Sequence, residues 1–248
     1  MIHKFVSMEN SFFERLFSEW SNVYFTEPIA CIISFIAIIL GLKNFRKGNY
    51  YALFILYSLS CFFLLSLYDT FRIVSLLPQR NKSIISETAN TLFELIELFV
   101  FYYFFLKIVK SNFIRSVMKL SFTVFLFFVL LFFIRTTNTN FGNDDILRFS
   151  TMIASIKFFM LLIPILTYFF ELFSIDPIKD IFYSPSLWIT SGLFLYCLAT
   201  LPFLLISDSL RTSNRSLYRL MFSIHFLSLS FLLLTIIKAF ICRRPIIT

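Results

Sequence analysis

The chain has 248 residues, of which 58% are hydrophobic and 20% aromatic, with 37 phenylalanines and a mean hydropathy of +0.84. Both the hydrophobic fraction and the mean hydropathy are far higher than in a water-soluble domain of similar size, so the composition excludes a water-soluble protein. The formal net charge of +8 comes from 22 Lys and Arg against 14 Asp and Glu. In a membrane chain such a basic excess indicates loops near anionic lipid and not a nucleic-acid-binding protein.

The apolar residues are concentrated in seven long stretches. The hydrocarbon core of a bilayer is about 30 Å thick and a spanning helix needs about 20 apolar residues, so seven spans use most of the chain. We therefore predict an all-α polytopic membrane protein, a bundle of seven transmembrane helices, with no separate soluble domain. The lipid bilayer is its first predicted partner.

The amino-terminal segment is predicted to be a short amphipathic helix on the membrane surface. Ser11 and Glu14 form a capping-box pattern, after which aromatic and leucine side chains recur at helical spacing. Acidic residues interrupt the segment, so it does not have the form of a cleavable secretory signal. The first span is therefore expected to act as an uncleaved anchor.

Seven predicted spans follow, at residues 28–42, from 50 to an end between 68 and 77, 85–106, 117–134, 149–170, 184–206 and 217–240. Pro28 suits the first turn of the first span, and Ser184 with Pro185 suits the start of the sixth. The fourth span, which is almost wholly apolar, is expected to face lipid. The outer end of the second span is left open, because Asp69 and Arg72 interrupt its apolar run.

These predictions divide the chain into an interfacial segment at residues 1–24, a transmembrane domain at 25–242 and a short cytoplasmic tail at 243–248. Basic clusters follow the first, third and seventh spans, so the positive-inside rule places the amino terminus outside and the carboxyl terminus in the cytoplasm. The four cysteines are widely spaced and form no CxxC pair, so neither a zinc site nor a disulfide framework is predicted.

The third span carries acidic residues that a lipid-facing helix would not tolerate. Glu87, Asn90, Glu94 and Glu97, with Thr91 beside them, share one face of a helix at about 100° per residue. A charge at the bilayer centre costs at least roughly 2.5–3.5 kcal/mol on insertion scales. This face is therefore expected to point into the bundle, with Glu94 and Glu97 paired, protonated or hydrated in a cavity.

Lys157 in the fifth span is the cation available to these acids. At a rise of about 1.5 Å per residue, Glu94 and Lys157 fall about 13 Å and 12 Å below the outer edge of their spans. His225 in the seventh span also falls near 12 Å. We therefore predict that three helices bring ionisable groups to one level of the bundle.

Further residues are predicted to complete this polar level. Tyr196 and Thr200 of the sixth span are expected to supply neutral hydrogen-bond partners. Asp69 and Arg72 join the level if the second span continues to residue 77, and otherwise form an ordinary surface pair. The candidate ligand-binding or proton-responsive residues are Glu94, Glu97, Lys157, His225, Asp69, Arg72 and Tyr196.

Two interpretations of these residues stay open. The first is structural: buried pairs fix the helix register in a bundle that has only 4 glycines. The second is an outward-opening pocket or proton-responsive site. The sequence has no HExxH, GxSxG or Walker pattern, so no catalytic residue, metal or cofactor is predicted. An intramembrane transferase with Glu94 or Glu97 as base and His225 as acid stays open on residue types alone.

Three stretches carry a resemblance to a known group of proteins: Glu-Pro-Ile-Ala at residues 27–30, the helix with Glu94 and Glu97, and Ser-Pro-Ser-Leu-Trp-Ile at 184–189 leading through Gly192 to Tyr196. Together they resemble small, uncharacterised bacterial seven-helix proteins, similar to the membrane sensory regions that precede some histidine kinases. The resemblance covers most of the chain and implies an envelope-sensing or signalling-accessory role. It does not imply kinase activity, because the chain has no phosphoacceptor helix or ATP-binding glycine segment.

The leading hypothesis is a non-enzymatic sensor of the bacterial inner membrane, whose outer half binds a small ligand or responds to protonation. A partner such as a histidine kinase would receive the signal through the loops at residues 107–119 and 175–183. The alternative is a small-solute or proton-coupled transporter, in which the same residues form a relay. The apolar inner half of the third span, residues 98–106, favours a blind pocket over a conduit.

Overall fold

The structure is a computed structural model that describes residues 26–44, 49–73, 79–136, 142–174 and 184–242. Within these ranges the structure describes only the backbone of some residues, namely 49–51, 67–73, 79–83, 143, 212 and 215. The predicted amphipathic segment at 1–24, the loop at 175–183 and the tail at 243–248 lie outside the described residues.

Seven α-helices account for nearly all of the described residues: α1 Thr26–Asn44, α2 Asn49–Ile73, α3 Gln79–Ile108, α4 Asn112–Thr136, α5 Asn143–Phe173, α6 Pro185–Ser213 and α7 Arg215–Ile241. This confirms the predicted all-α class. Five of them, α1, α4, α5, α6 and α7, are long and apolar enough to cross a membrane. The other two helices differ from these five. In α2 the continuous apolar stretch is shorter, at Ala52–Ser66, and α3 is less apolar because it carries Glu87, Glu94 and Glu97.

The helices extend beyond the predicted spans. For example, α3 begins at Gln79 and not at residue 85, and α6 continues to Ser213 and not to 206. Hydropathy marks only the immersed part of a helix, whereas the backbone hydrogen bonds continue until a polar residue ends them. Asn214 does so between α6 and α7: its N–H donates to the Leu210 carbonyl at 2.9 Å, and its side-chain oxygen accepts from the Leu217 N–H at 3.0 Å.

Six of these helices form a closed ring. Going around it, α1 packs against α2, α2 against α3, α3 against α5, α5 against α6, α6 against α7, and α7 against α1. The remaining helix, α4, lies outside the ring against α3 and α5, with Met118, Phe125, Val129 and Phe132 on its buried face. This peripheral position agrees with the prediction that the fourth span faces lipid.

Close approach within the ring depends on small side chains. The buried face of α1 includes Ala30, Ser34, Ala37 and Gly41, which recur at helical spacing. Small residues at this spacing let helix backbones approach closely in a membrane. The same holds for α6 and α7, because a Cβ atom on Gly192 would overlap the side chain of Thr235.

The outer surface of the bundle is apolar. Phe35, Phe127, Phe170 and Leu205 on four different helices each leave at least half of their surface exposed, at 50%, 57%, 74% and 59%. Soluble proteins rarely expose apolar surface on this scale, and a lipid environment accounts for it. The fold and the five long apolar helices therefore indicate insertion in a bilayer.

The two ends of the ring are packed differently. Where α2 begins and α3 and α7 end, the interior is filled by aromatic side chains with at most 1% exposure: Phe54, Phe101, Phe104, Phe105 and Phe240. The Phe54 and Phe104 rings meet edge to face, with their centroids 5.4 Å apart. These rings close this end of the interior, and the acids of the third span, Glu87, Glu94 and Glu97, lie toward the opposite end.

Candidate functional site

The acidic face of α3 points into the ring. Glu87, Asn90 and Glu94 line an internal cavity, and Thr91 and Glu97 have no exposed surface. The opposite face of the same helix exposes apolar and aromatic side chains such as Leu92 and Phe99. The amphipathic pattern of the third span thus predicts its orientation correctly.

Lys157 on α5 joins the two central acids. Its Nζ atom contacts Oε2 of Glu94 and Oε2 of Glu97, and the Lys157 side chain is wholly buried. The structure thus brings Lys157 of the fifth span together with Glu94 and Glu97 of the third. The Glu97 side chain is also 0% exposed, whereas Glu94 keeps 16% of its side chain exposed, toward the cavity.

Tyr57 on α2 completes this cluster. Its hydroxyl donates a hydrogen bond to Oε1 of Glu97 at 2.8 Å, and Tyr57 has no exposed surface. One polar chain, Glu94–Lys157–Glu97–Tyr57, therefore ties α3 to α5 and to α2. Tyr57 could not be predicted as part of the site, because a single tyrosine in an apolar stretch rich in aromatic residues carries no pattern of its own.

The cluster holds one ammonium group against two carboxylates. With all three groups ionised, its formal charge is −1, in a position where Glu97 and Lys157 have no contact with solvent. Pairing and hydrogen bonding offset the cost of removing these charges from water, and the offset depends on every partner being present. The cluster is therefore sensitive to the loss of its single cation.

His225 on α7 lies beside this cluster and not within it. Its Nδ1 atom is 3.0 Å from the hydroxyl of Thr200 on α6, and its ring centroid is 5.6 Å from that of Tyr196. His225, Thr200 and Tyr196 all line the cavity together with Glu94. The structure thus places the predicted residues of α6 and α7 around one space, with His225 hydrogen-bonded to a hydroxyl group.

The prediction for Asp69 and Arg72 concerns the end of α2. This helix continues past both residues to Ile73, so they belong to its final turns. Their side chains lie outside the described residues, and their pairing stays a prediction.

The cavity has a volume of about 230 Å³ and lies toward the end of the ring where α1, α3, α5 and α7 begin. All six ring helices contribute to its lining, and α4 does not. Three of the lining residues are acidic, Glu27, Glu87 and Glu94, and none of those that the structure describes is Lys or Arg. Lys157 and Glu97 lie behind the wall, where Glu94 connects them to the cavity.

Glu87 lies among polar neighbours in the cavity wall. Ser150 on α5 and Asn90 on α3 line the cavity with it, and Arg211 near the end of α6 interacts with it electrostatically. Glu27 approaches from the first turn of α1 and is 3% exposed. Glu27 was not predicted to be a site residue, because an acid just before the first span is typical of an ordinary interfacial residue.

Among the residues that the structure describes, no group of three or more His, Cys, Asp or Glu side chains is arranged to hold a metal ion. The four cysteines are free thiols, two of them buried. Nothing in the described part of the chain points to a covalently bound group.

The comparisons with known proteins give no match: no family model fits the chain, and neither the curated proteins nor the solved structures include a similar one. The resemblance to bacterial sensory regions therefore stays a hypothesis, and any function has to be argued from the site itself.

Proposed function

We propose that this protein is a non-enzymatic sensor of the bacterial inner membrane, in which a small ligand enters a polar cavity at one end of a helical ring and changes a signalling contact at the other. The observation that carries the proposal is the cavity itself. It is lined by all six ring helices, so an occupant lies among the helices whose positions it would have to change. A ligand alters a conformational equilibrium only through such differential contacts.

The proposal takes all seven helices as membrane spans. α3 has 30 residues and, at about 1.5 Å per residue, is about 45 Å long, which exceeds the hydrocarbon thickness of about 30 Å. Its acids are directed into the ring, where they avoid lipid. α2 lies between α1 and α3 in the ring, so crossing the bilayer with its two neighbours is the arrangement consistent with its packing.

The closed end of the ring favours a sensor over the alternative, a small-solute or proton-coupled transporter. A transporter needs a polar path beyond the cavity, and the aromatic side chains of Phe54, Phe101 and Phe104 fill that region among the described residues. Beyond the buried Glu97–Lys157 pair, the described buried polar groups toward that end are hydroxyl groups such as those of Thr190 and Thr235. The site therefore supports a blind pocket better than a conduit.

A route for output exists at the closed end. The loop that follows α3 is held by Glu171 at the end of α5, whose carboxylate accepts hydrogen bonds from the backbone N–H groups of Lys110 and Ser111 at 2.9–3.1 Å. The ends of α3 and α5 therefore move together, and these two helices also share the buried ion pair. A basic loop in this position is suited to contact a cytoplasmic partner such as a histidine kinase.

The proposed orientation places the amino terminus and the cavity outside the cell and the carboxyl terminus in the cytoplasm. Reporter fusions after Lys47 and after Asp145 test it. Because the first position follows α1 and the second lies at the start of α5, the proposal expects the first reporter inside and the second outside. Finding both reporters on one side would contradict the helix count between them.

The sensor function is tested by filling the cavity covalently. In a background without native cysteines, Ser207→Cys places a thiol in the cavity wall, where Ser207 is 8% exposed. Labelling it with a benzyl methanethiosulfonate is expected to change hydrogen exchange in the loop after α3 by several-fold. The matched control is labelled Ser213→Cys, which is exposed at the same end of the bundle outside the cavity.

Unchanged exchange in that loop after full labelling of Ser207→Cys would contradict the sensor proposal. A flux assay in proteoliposomes separates the alternative, because a transporter would carry protons or small solutes across the membrane and labelling would block that flux. The sensor proposal expects no flux above that of empty liposomes.

A further inference from the structure

We infer that the cavity binds a small organic cation, an ammonium group carrying a few carbon atoms. This inference rests on the proposed sensor function and names its ligand class. Three independent features of the cavity support it: the sign of its charges, the aromatic rings on one wall, and its size.

The charge of the lining is acidic. Glu27 comes from α1, Glu87 and Glu94 come from α3, and none of the described lining residues is Lys or Arg. Arg211, which interacts electrostatically with Glu87, is not among the lining residues and is paired with Asp144. Lys157 lies behind the wall and is shared between Glu94 and the buried Glu97, so its single positive charge does not offset both carboxylates. A positively charged occupant complements this surface, whereas an anion would meet carboxylates from two helices.

Aromatic side chains of α6 and α7 form another part of the wall. Phe203 lies with its ring centroid 5.6 Å from Tyr218 and 6.1 Å from Phe222, and Tyr218 and Phe222 are stacked at 6.1 Å. All three line the cavity, as does Phe226. Aromatic faces attract organic cations through the ring quadrupole, and sets of such rings are a known means of binding quaternary ammonium groups.

Size and geometry distinguish an organic cation from a metal ion. The volume of about 230 Å³ is smaller than that of pockets for drug-sized ligands, which run from roughly 300 Å³ upward, but large enough for several heavy atoms. In the part of the chain that the structure describes, the acids do not converge as metal ligands would. All six ring helices line the cavity, and we infer that its ligand is a small dissolved cation.

The decisive experiment compares two probes of nearly the same shape. Choline and its uncharged carbon analogue 3,3-dimethylbutan-1-ol are titrated separately into the purified full-length protein in phospholipid-free detergent, with binding followed by calorimetry and by thermal unfolding. We expect choline to bind at least about tenfold more tightly, the difference that one charge-assisted contact supplies. Equal binding of the two probes, or stabilisation by calcium chloride in place of choline, would overturn the inference.

Variants locate the binding in this cavity. Glu87→Gln removes one charge from the wall, and Phe222→Leu removes one ring while keeping an apolar side chain. Each is expected to weaken choline binding about tenfold. Asp145→Asn makes a similar chemical change at an exposed acid that does not line the cavity, and we expect it to leave choline binding unchanged.

The outcomes separate this inference from the function on which it rests. If choline fails to bind to wild-type protein at tens of millimolar, the ligand class is wrong, but labelled Ser207→Cys still tests whether an occupied cavity reaches the loop after α3. If choline binds and labelled Ser207→Cys leaves that loop unchanged, the ligand class stands and the sensor function fails.

Discussion

Removing Lys157 is the sharpest perturbation that the structure offers. Lys157→Met keeps the length and much of the apolar volume of the side chain, but it takes away the one ammonium group that contacts both Glu94 and Glu97. The formal charge of the cluster then changes from −1 to −2. Glu97, which has no exposed surface, keeps only its hydrogen bond from Tyr57 at 2.8 Å.

The expected cost follows from this geometry. Breaking a buried ion pair by removing one partner destabilises a protein by about 3–5 kcal/mol, because the other charge is left buried without compensation. Here two carboxylates lose their cation, so we expect Lys157→Met to fall near about 5 kcal/mol, with the partial exposure of Glu94 providing some relief through hydration. Glu97→Gln changes the formal charge of the cluster from −1 to 0 and leaves a balanced Glu94–Lys157 pair. We therefore expect the free energy of unfolding to fall by only about 1 kcal/mol, because the hydrogen bond from Tyr57 is weaker.

The comparison is made by unfolding the purified wild type and both variants in mixed micelles with increasing sodium dodecyl sulfate. Lowering the pH from 8 to 5 supplies a further test. Protonation neutralises the carboxylates that Lys157→Met leaves uncompensated, so the stability of this variant relative to wild type should rise as the pH falls. A Lys157→Met protein as stable as Glu97→Gln, or one that loses further stability in acid relative to wild type, would refute the reasoning.

Three further predictions address other contacts. Tyr57→Phe removes the hydroxyl that Glu97 accepts from, and SDS unfolding should show a loss of about 1–3 kcal/mol, the cost of leaving a buried charged acceptor unsatisfied. Gly192→Leu forces a side chain into Thr235; we expect a lower melting temperature and a loss of about 1–3 kcal/mol from overpacking, and an unchanged temperature would contradict the close crossing of α6 and α7. Glu171→Ala releases the backbone N–H groups of the loop after α3, so hydrogen exchange there should accelerate, whereas unchanged exchange would show that the carboxylate does not hold the loop.

The sequence predicts the central pair because intramembrane charge tolerates few arrangements. The stripe that contains Glu94 and Glu97 could not face lipid, and Lys157 is the cation at matching depth, so their meeting follows from helical rise and solvation. Depth alone does not give lateral position, however. His225 lies at a similar predicted depth, yet the structure places it against Thr200, because rotation about the helix axis is decided by packing with neighbouring helices.

The order of the helices around the ring could not be predicted from the sequence. The closed ring skips α4, and nothing in a list of apolar stretches says which helix stands outside, although the long uncharged run of α4 between Lys119 and Arg135 is consistent with that place. The aromatic wall of the cavity was missed for a related reason. With 37 phenylalanines in the chain, Phe203 and Phe222 are indistinguishable in sequence from residues that face lipid.

The structural and functional interpretations of the acids are compatible, because the two carboxylates have different surroundings. Glu97 is fully buried between Lys157 and Tyr57, which suits a residue that fixes the packing of α2, α3 and α5. Glu94 shares the same lysine but keeps 16% of its side chain exposed, facing the cavity. A cation in the cavity would compete with Lys157 for Glu94 while leaving the Glu97 contacts in place. The occupant would thereby alter the packing of α3 against α5 and leave the rest of the bundle intact. A reversible signal requires such a limited change in helix packing.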